Sequence, residues 1–177
     1  MSNNEVNIKY KMVLFGTEGV GKTSLVQRLV NSKFDDDYTP TLGYNVYEKA
    51  IIIDKIKISL VIYDFGGQKQ FEGMRKMTSQ GSDTAFLVYD LTNKESFDNL
   101  SDWRMELFDV AGEIPFIIIG NKVDLYQERQ VTKEKGEQLS VELGALTHLE
   151  TSAKTGKFVE EAFNMLARET LKKYENV

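Results

Sequence analysis

Cysteine is missing from the 177 residues, proline occurs only twice and histidine once. Without cysteine there is no disulfide framework and no thiolate metal site, and neither prenylation nor palmitoylation of this chain is possible. No apolar run nears the roughly 18 residues needed to span a bilayer. The polar opening Met1-Ser2-Asn3-Asn4-Glu5 matches neither a signal peptide nor a myristoylation site, which needs glycine after the first methionine. Basic residues are in deficit too. Lys and Arg number 22 against 27 Asp and Glu, a formal net charge of −5, and no dense basic stripe stands out, so no nucleic-acid partner is expected. The expectation is a cytoplasmic chain without its own lipid anchor, reaching a membrane only through a partner or a lipidated tail outside these residues.

What is present suits one domain with a sizeable core: 41% of the residues are hydrophobic, and no repeat, linker or low-complexity segment interrupts them. The core is expected over residues 9 to 174, behind a tail at 1 to 8. Apolar runs that read as strands alternate with helical patterns. Strands are expected at 9 to 15, 46 to 53, 57 to 63, 85 to 89, 116 to 119 and 146 to 149. Helices are expected at 22 to 32, 93 to 109, 132 to 143 and 157 to 174, with a short mobile helix between 64 and 82. The few residues around Asp54 and Lys55 allow only an antiparallel hairpin. Thr92 and Glu95 have capping-box spacing, and Gly136 interrupts its helix. The predicted fold class is α/β: a six-stranded, mostly parallel sheet with one antiparallel strand and helices on both faces.

Gly16-Thr17-Glu18-Gly19-Val20-Gly21-Lys22-Thr23 joins the first strand to the first helix. That is the setting of a phosphate-binding loop. Glycine lets successive N–H groups curl around an anion, and the helix offers its positive end to the same anion. The candidate phosphate contacts are Glu18, Gly19, Val20, Gly21, Lys22, Thr23 and Ser24, with Lys22 on the outer phosphates and Thr23 on Mg2+. Three further motifs also follow strands: Asp64-Phe65-Gly66-Gly67-Gln68, Asn121-Lys122-Val123-Asp124 and Glu150-Thr151-Ser152-Ala153-Lys154. Open sheets of this kind bind ligands at the carboxyl ends of their strands.

In this order, the motifs from Lys9 to Lys172 closely resemble a Ras-like small GTPase. The resemblance implies GTP/GDP as ligand and substrate, with Mg2+. It implies that Asp124 accepts the N1–H and 2-amino group of guanine and is left unpaired by adenine. By the same resemblance Asn121 and Ser152 brace the loop, Lys122 lies over the base, the Ala153 N–H meets the guanine oxygen and Lys154 packs nearby. Phe34 and Tyr38 lie beside the nucleotide, Phe34 edge-on to the base. The implied metal residues are Thr23, Thr41 and Asp64. The implied catalytic group is Gln68, orienting the attacking water, with Lys22, Thr41 and Gly67, whose N–H reaches the γ-phosphate. An effector would read residues 35–45 and 66–80, and an exchange factor and a GTPase-activating protein would drive the cycle.

Tyr38-Thr39-Pro40-Thr41-Leu42-Gly43 and Leu87-Val88-Tyr89-Asp90-Leu91-Thr92 are similar to the Rab branch, whose usual vesicle-trafficking role relies on tail cysteines that are absent here. Three departures stand out. Glu18 replaces a smaller residue and puts a carboxylate near the γ-phosphate, Phe65-Gly66 stands where Thr-Ala is usual, and Tyr63 precedes Asp64 in place of tryptophan. Two readings remain open: a slow GTPase acting as a molecular switch, and a GTP-binding scaffold without effective hydrolysis. A nucleotide kinase is disfavoured, since no region for a second substrate is visible. Plainer roles are expected for His148 (structural), Asp35-Asp36-Asp37 (a solvated loop), and Met74 and Met77 (core packing or an exposed apolar face).

Overall fold

In a computed structural model, residues 7–175 are described. The first strand, β1 (Asn7–Phe15), begins inside the expected tail, whose residues 1–6 lie outside the described region. A hairpin of β2 (Tyr44–Ile53) and β3 (Ile56–Phe65) follows α1 (Lys22–Asn31). Its two turn residues, Asp54 and Lys55, both have positive φ, the combination that matches the twist of the flanking strands. Then come α2 (Glu72–Thr78), β4 (Thr84–Asp90), α3 (Lys94–Asp98), α4 (Leu100–Ala111), β5 (Phe116–Asn121), α5 (Lys133–Leu143), β6 (His148–Glu150) and α6 (Val159–Glu175). The sheet runs β2-β3-β1-β4-β5-β6, and only β2 is antiparallel to its neighbour. This is the predicted fold class.

Side chains alternating along β1 divide between two cores. Met12 and Leu14 join the cluster under α1 and α6, with Leu25, Phe86 and Phe163, while Val13 and Phe15 join the cluster under α4 and α5, with Leu100 and Leu107. Both faces of the sheet are therefore covered, and every residue of β4 and β5 is buried. Such strands read as continuous apolar runs because neither face meets water. Lys11 crosses from β1 to close the end of α2, its Nζ donating to the carbonyls of Thr78 and Gln80 at 2.5 and 2.8 Å. A cation there complements the helix's negative end.

Three local expectations need correction. The expected 93–109 helix is divided by Asn99 into α3 and α4 and is capped by Asn93, whose Oδ1 accepts from the Ser96 N–H at 3.2 Å. Thr92 is withdrawn from capping because its N–H and hydroxyl both donate to Asp90 Oδ1. Gly136 does not interrupt α5. The helix passes through it, and a Cβ there would lie 2.4 Å from His148 Nε2, so the glycine makes room for the imidazole. The last strand is displaced to His148–Glu150, leaving Leu146 half exposed, although its N–H still donates to the Phe116 carbonyl. His148 itself is buried, within hydrogen-bond distance of the Tyr89 hydroxyl at 2.9 Å and stacked on that ring. Burial pushes its pKa down, which holds it neutral.

Candidate functional site

A cleft of about 690 Å³ opens at the carboxyl ends of β1, β3, β5 and β6, where all four motifs converge. Its floor is the loop between β1 and α1. Gly16, Gly19 and Gly21 all have positive φ there, and at Gly21 a Cβ would lie 2.3 Å from Asn121 Nδ2. Only glycine lets that amide approach. Lys22 is 6% exposed and donates to the carbonyls of Gly16 and Thr17 at 2.6 and 3.0 Å. Burial lowers its pKa to about 8, with the charge of Asp64 opposing that shift.

Beside Lys22 stands a compact oxygen cluster. The Thr23 hydroxyl donates to Asp64 Oδ2 at 2.5 Å and lies 2.7 Å from the Thr41 hydroxyl. Asp64 is fully buried, and its Oδ1 has no hydrogen-bond partner. An orphaned carboxylate oxygen in a dry site is costly unless a cation or ordered water meets it. Burial accordingly raises its pKa, while the Thr23 hydrogen bond and Lys22 act in the opposite sense. Two hydroxyls and a carboxylate form a hard-oxygen donor set, which fits Mg2+. Among the described residues no cluster of three or more His, Cys, Asp or Glu side chains competes with it as a metal site.

The motifs at residues 121–124 and 151–154 interlock beneath the surface. Asn121 Nδ2 donates to the Val20 carbonyl at 3.0 Å, and its Oδ1 accepts from the Thr151 hydroxyl and, at 3.3 Å, from the Ala153 N–H. The Ser152 hydroxyl donates to Asp124 Oδ1 at 2.6 Å. Lys122, in a left-handed conformation, sends its Nζ to the Gly19 carbonyl at 2.8 Å and to Asp90 at 2.7 Å. Arg28 of α1, unmarked in the sequence, donates to the carbonyls of Ala153 and Lys154 at 2.7 and 2.5 Å. Lys154 pairs with Asp36 across the mouth at 3.3 Å.

The loops that carry residues 38–41 and 66–68 meet over the site. Gly66 and Gly67 permit this closure: a Cβ at Gly66 would lie 2.4 Å from the Thr41 carbonyl, and one at Gly67 2.4 Å from the Glu18 N–H nitrogen. Phe65 is 1% exposed and packs edge-on against Phe15, so its bulk is taken into the core. Glu18 Oε1 accepts from the Tyr38 hydroxyl at 2.7 Å and from Gln68 Nε2 at 2.9 Å, and Gln68 Oε1 accepts from Gln70 at 2.7 Å. The bonds from Tyr38 and Gln68 hold the Glu18 pKa down, while burial and Glu18 push Tyr38 up to about 12.

Most of the sequence-predicted residues line this cleft, including Ser24, Phe34 and Lys154. The Val20 side chain is 1% exposed within the α1/α6 core, which leaves its backbone as the part available to the loop. Ser152 and Asp64 stand behind the lining, acting through Asp124 and Thr23. Gln27, Tyr47 and Leu125 line the cleft as well, without belonging to any motif that would have marked them, as does Asn45 at the end of the 35–45 segment.

The sheet order, the phosphate loop and the convergent strand-end motifs define a P-loop GTPase domain. The Ras family model matches residues 11–172, and the chain belongs to that family. It is 37% identical over 168 residues to the GTP-binding protein yptV5 of Volvox carteri, spanning 92% of this chain and 82% of that protein. It is 39% identical over 165 residues to human Ras-related protein Rab-8B, spanning 93% and 79%. Ras-related protein RABG3f of Arabidopsis thaliana is 37% identical over 172 residues, at 93% and 84%. The chain is thus a Rab-like, GTP-binding switch protein. Among the described residues no helix is long and apolar enough to cross a membrane.

Proposed function

We propose that residues 9–174 act as one domain that binds GTP or GDP with Mg2+, hydrolyses GTP slowly, and changes the shape of residues 35–45 and 66–80 with the state of the γ-phosphate. The observation that carries this reading is the Glu18 carboxylate, which accepts from Tyr38 in one loop and Gln68 in the other. It joins the two loops that would sense the γ-phosphate, in the cleft that Lys22 and Thr23 also line.

Each role follows from chemistry on that floor. The Lys22 ammonium leaves the Gly16 and Thr17 carbonyls for the outer phosphates, and the loop N–H groups cradle the inner ones. Thr23 and Thr41 would hold Mg2+ directly, and Asp64 would hold it through a bound water. When bound there, Mg2+ would supply positive charge to the phosphate oxygens. Asp124, fixed by Ser152, accepts from guanine, and Phe34 covers the base edge. The Gly67 N–H meets the γ-phosphate, and Gln68 orients the water whose oxygen attacks its phosphorus. Both ends of the Gln68 amide are already occupied, by Glu18 and Gln70. Exchanging those bonds for the water adds to the barrier, which is the physical reason for a slow rate. That occupancy also favours the second reading, a GTP-binding scaffold.

Regulators and effectors would meet the same two segments, which expose Tyr38, Leu42, Tyr44 and Met77. The location in this reading is cytoplasmic, with peripheral membrane association through a partner or through a lipidated tail outside these residues. Single-turnover hydrolysis of preloaded GTP tests the reading. We expect slow product formation, loss of it in Gln68→Leu and acceleration in Glu18→Gly. No product from either the unmodified chain or Glu18→Gly would leave the scaffold reading standing. Nucleotide competition tests the base: displacement of GTP by ATP as readily as by GTP would overturn the role of Asp124.

A further inference from the structure

Arg75 lies in α2 and touches none of the predicted nucleotide contacts through their side chains, yet it is 2% exposed, on a helix whose other residues all keep some exposure. Four of the five guanidinium N–H directions are used. Nη1 donates to the backbone carbonyls of Gly66 and Gln68 at 3.0 and 2.9 Å, while Nε and Nη2 grip the Glu106 carboxylate of α4 at 2.7 and 3.2 Å. The guanidinium also lies over the Trp103 ring, 4.8 Å from its centroid. Trp103 Nε1 in turn donates to the Thr17 hydroxyl in the phosphate loop at 3.3 Å.

Burying a guanidinium is costly unless it is paired and fully bonded, and a fork of this shape cannot be reproduced by an ammonium. The two carbonyls it holds bracket Gly67 and begin at the residue whose missing Cβ lets the Thr41 carbonyl approach. Glu106 and Trp103 are anchored in α4, which packs on the sheet through Leu100 and Leu107. The backbone of Gln68 is therefore held from behind by a rigid element, while its side chain is held in front only by exposed partners.

We propose that Arg75 is a positioning residue for hydrolysis: braced by Glu106 and Trp103, it sets the backbone from Gly66 to Gln68 so that the Gln68 amide reaches the attacking water. This rests on the GTPase reading above. Gln68→Leu removes the group through which Arg75 acts, so the two substitutions must not multiply. In single-turnover assays Arg75→Met is expected to slow hydrolysis by about tenfold, with GDP affinity kept within about threefold, and to cause no further loss in a Gln68→Leu background. Glu106→Gln, a milder change at a partly exposed position, is expected to show a smaller loss with the same dependence on Gln68 should Arg75→Met fold poorly. Equal proportional losses in both backgrounds, or an unchanged rate in Arg75→Met and Glu106→Gln, would overturn the proposal. Absence of turnover in the unmodified chain, or no loss in Gln68→Leu alone, would instead overturn the GTPase reading and the positioning role with it.

Discussion

The two ends of the cleft, proposed above to hold the base and the phosphates, are built differently. At the base end, Asn121, Thr151 and Ser152 are at most 1% exposed, and their bonds tie the ends of β5 and β6 to the phosphate loop. At the phosphate end, Tyr38 is 62% exposed, Glu18 is on the surface, and the bonds between them join loops rather than strands. Leaving a buried polar group unpaired costs about 1–3 kcal/mol, whereas exposed charged pairs are worth a few tenths to about 1. The base end therefore behaves as one rigid unit, and the phosphate end can open at little cost. A switch needs both: a constant grip on the part of the nucleotide that does not change, and a weak closure over the part that does.

The sharpest way to break this contrast is at Asp124. Asp124→Asn replaces an acceptor by an amide donor facing the guanine N–H groups, and guanine-nucleotide affinity should fall by about 4 kcal/mol, on the order of a thousandfold, in a fluorescent-nucleotide titration. Next comes Gly21→Ala, which puts a Cβ 2.3 Å from Asn121 Nδ2 at a φ of 99°. Denaturant unfolding should show a loss of about 3 kcal/mol, from backbone strain together with a displaced buried amide. If the loss were only a few tenths, the base end would not be the interlocked unit described.

Lys22 lies at the junction of the two ends and makes the contrast pH-dependent. Its pKa is about 8 in the fold against the ordinary lysine value of 10.5, so between those values the unfolded chain carries the extra proton. A depressed lysine pKa means that the folded state is penalised while charged, and the penalty lifts as pH rises through the folded value. Stability of the nucleotide-free chain should therefore rise by about 1 kcal/mol from roughly pH 7.5 to 9, and Lys22→Met should lack that rise. Phosphate binding needs the charged form, so GDP affinity should fall over the same range. The smallest stability effect belongs to the phosphate end: Glu18→Ala should leave the denaturation midpoint essentially unchanged, because its partners are exposed and screened by solvent. The same variant should accelerate single-turnover hydrolysis, and a large stability loss without acceleration would mean that Glu18 is structural.

Much of the site was legible because phosphate loops and strand-end motifs are contiguous. Gly16 to Thr23 states its own geometry through the spacing of its glycines, and the runs in β4 and β5 are apolar throughout because both faces are covered. Boundaries were less legible where two local interactions competed. Thr92 had capping spacing, but the Asp90 carboxylate took its hydroxyl, and the cap moved to Asn93. Gly136 looked like a helix breaker because one sequence cannot reveal an imidazole packed against it. Arg28 and Arg75 gave no signal at all, since each acts on backbone carbonyls supplied by distant segments.

Local pattern alone determined the strand-helix alternation and the composition of the phosphate loop and of the strand-end motifs, since each depends on residues adjacent in the chain. Only the tertiary structure decided how those motifs restrain one another: Asn121 against Gly21, Asp64 against Thr23 and Thr41, Glu18 between Tyr38 and Gln68, and Arg75 behind them all. These contacts join residues tens of positions apart, and an orphaned oxygen or a fully bonded guanidinium is a property of the space around it.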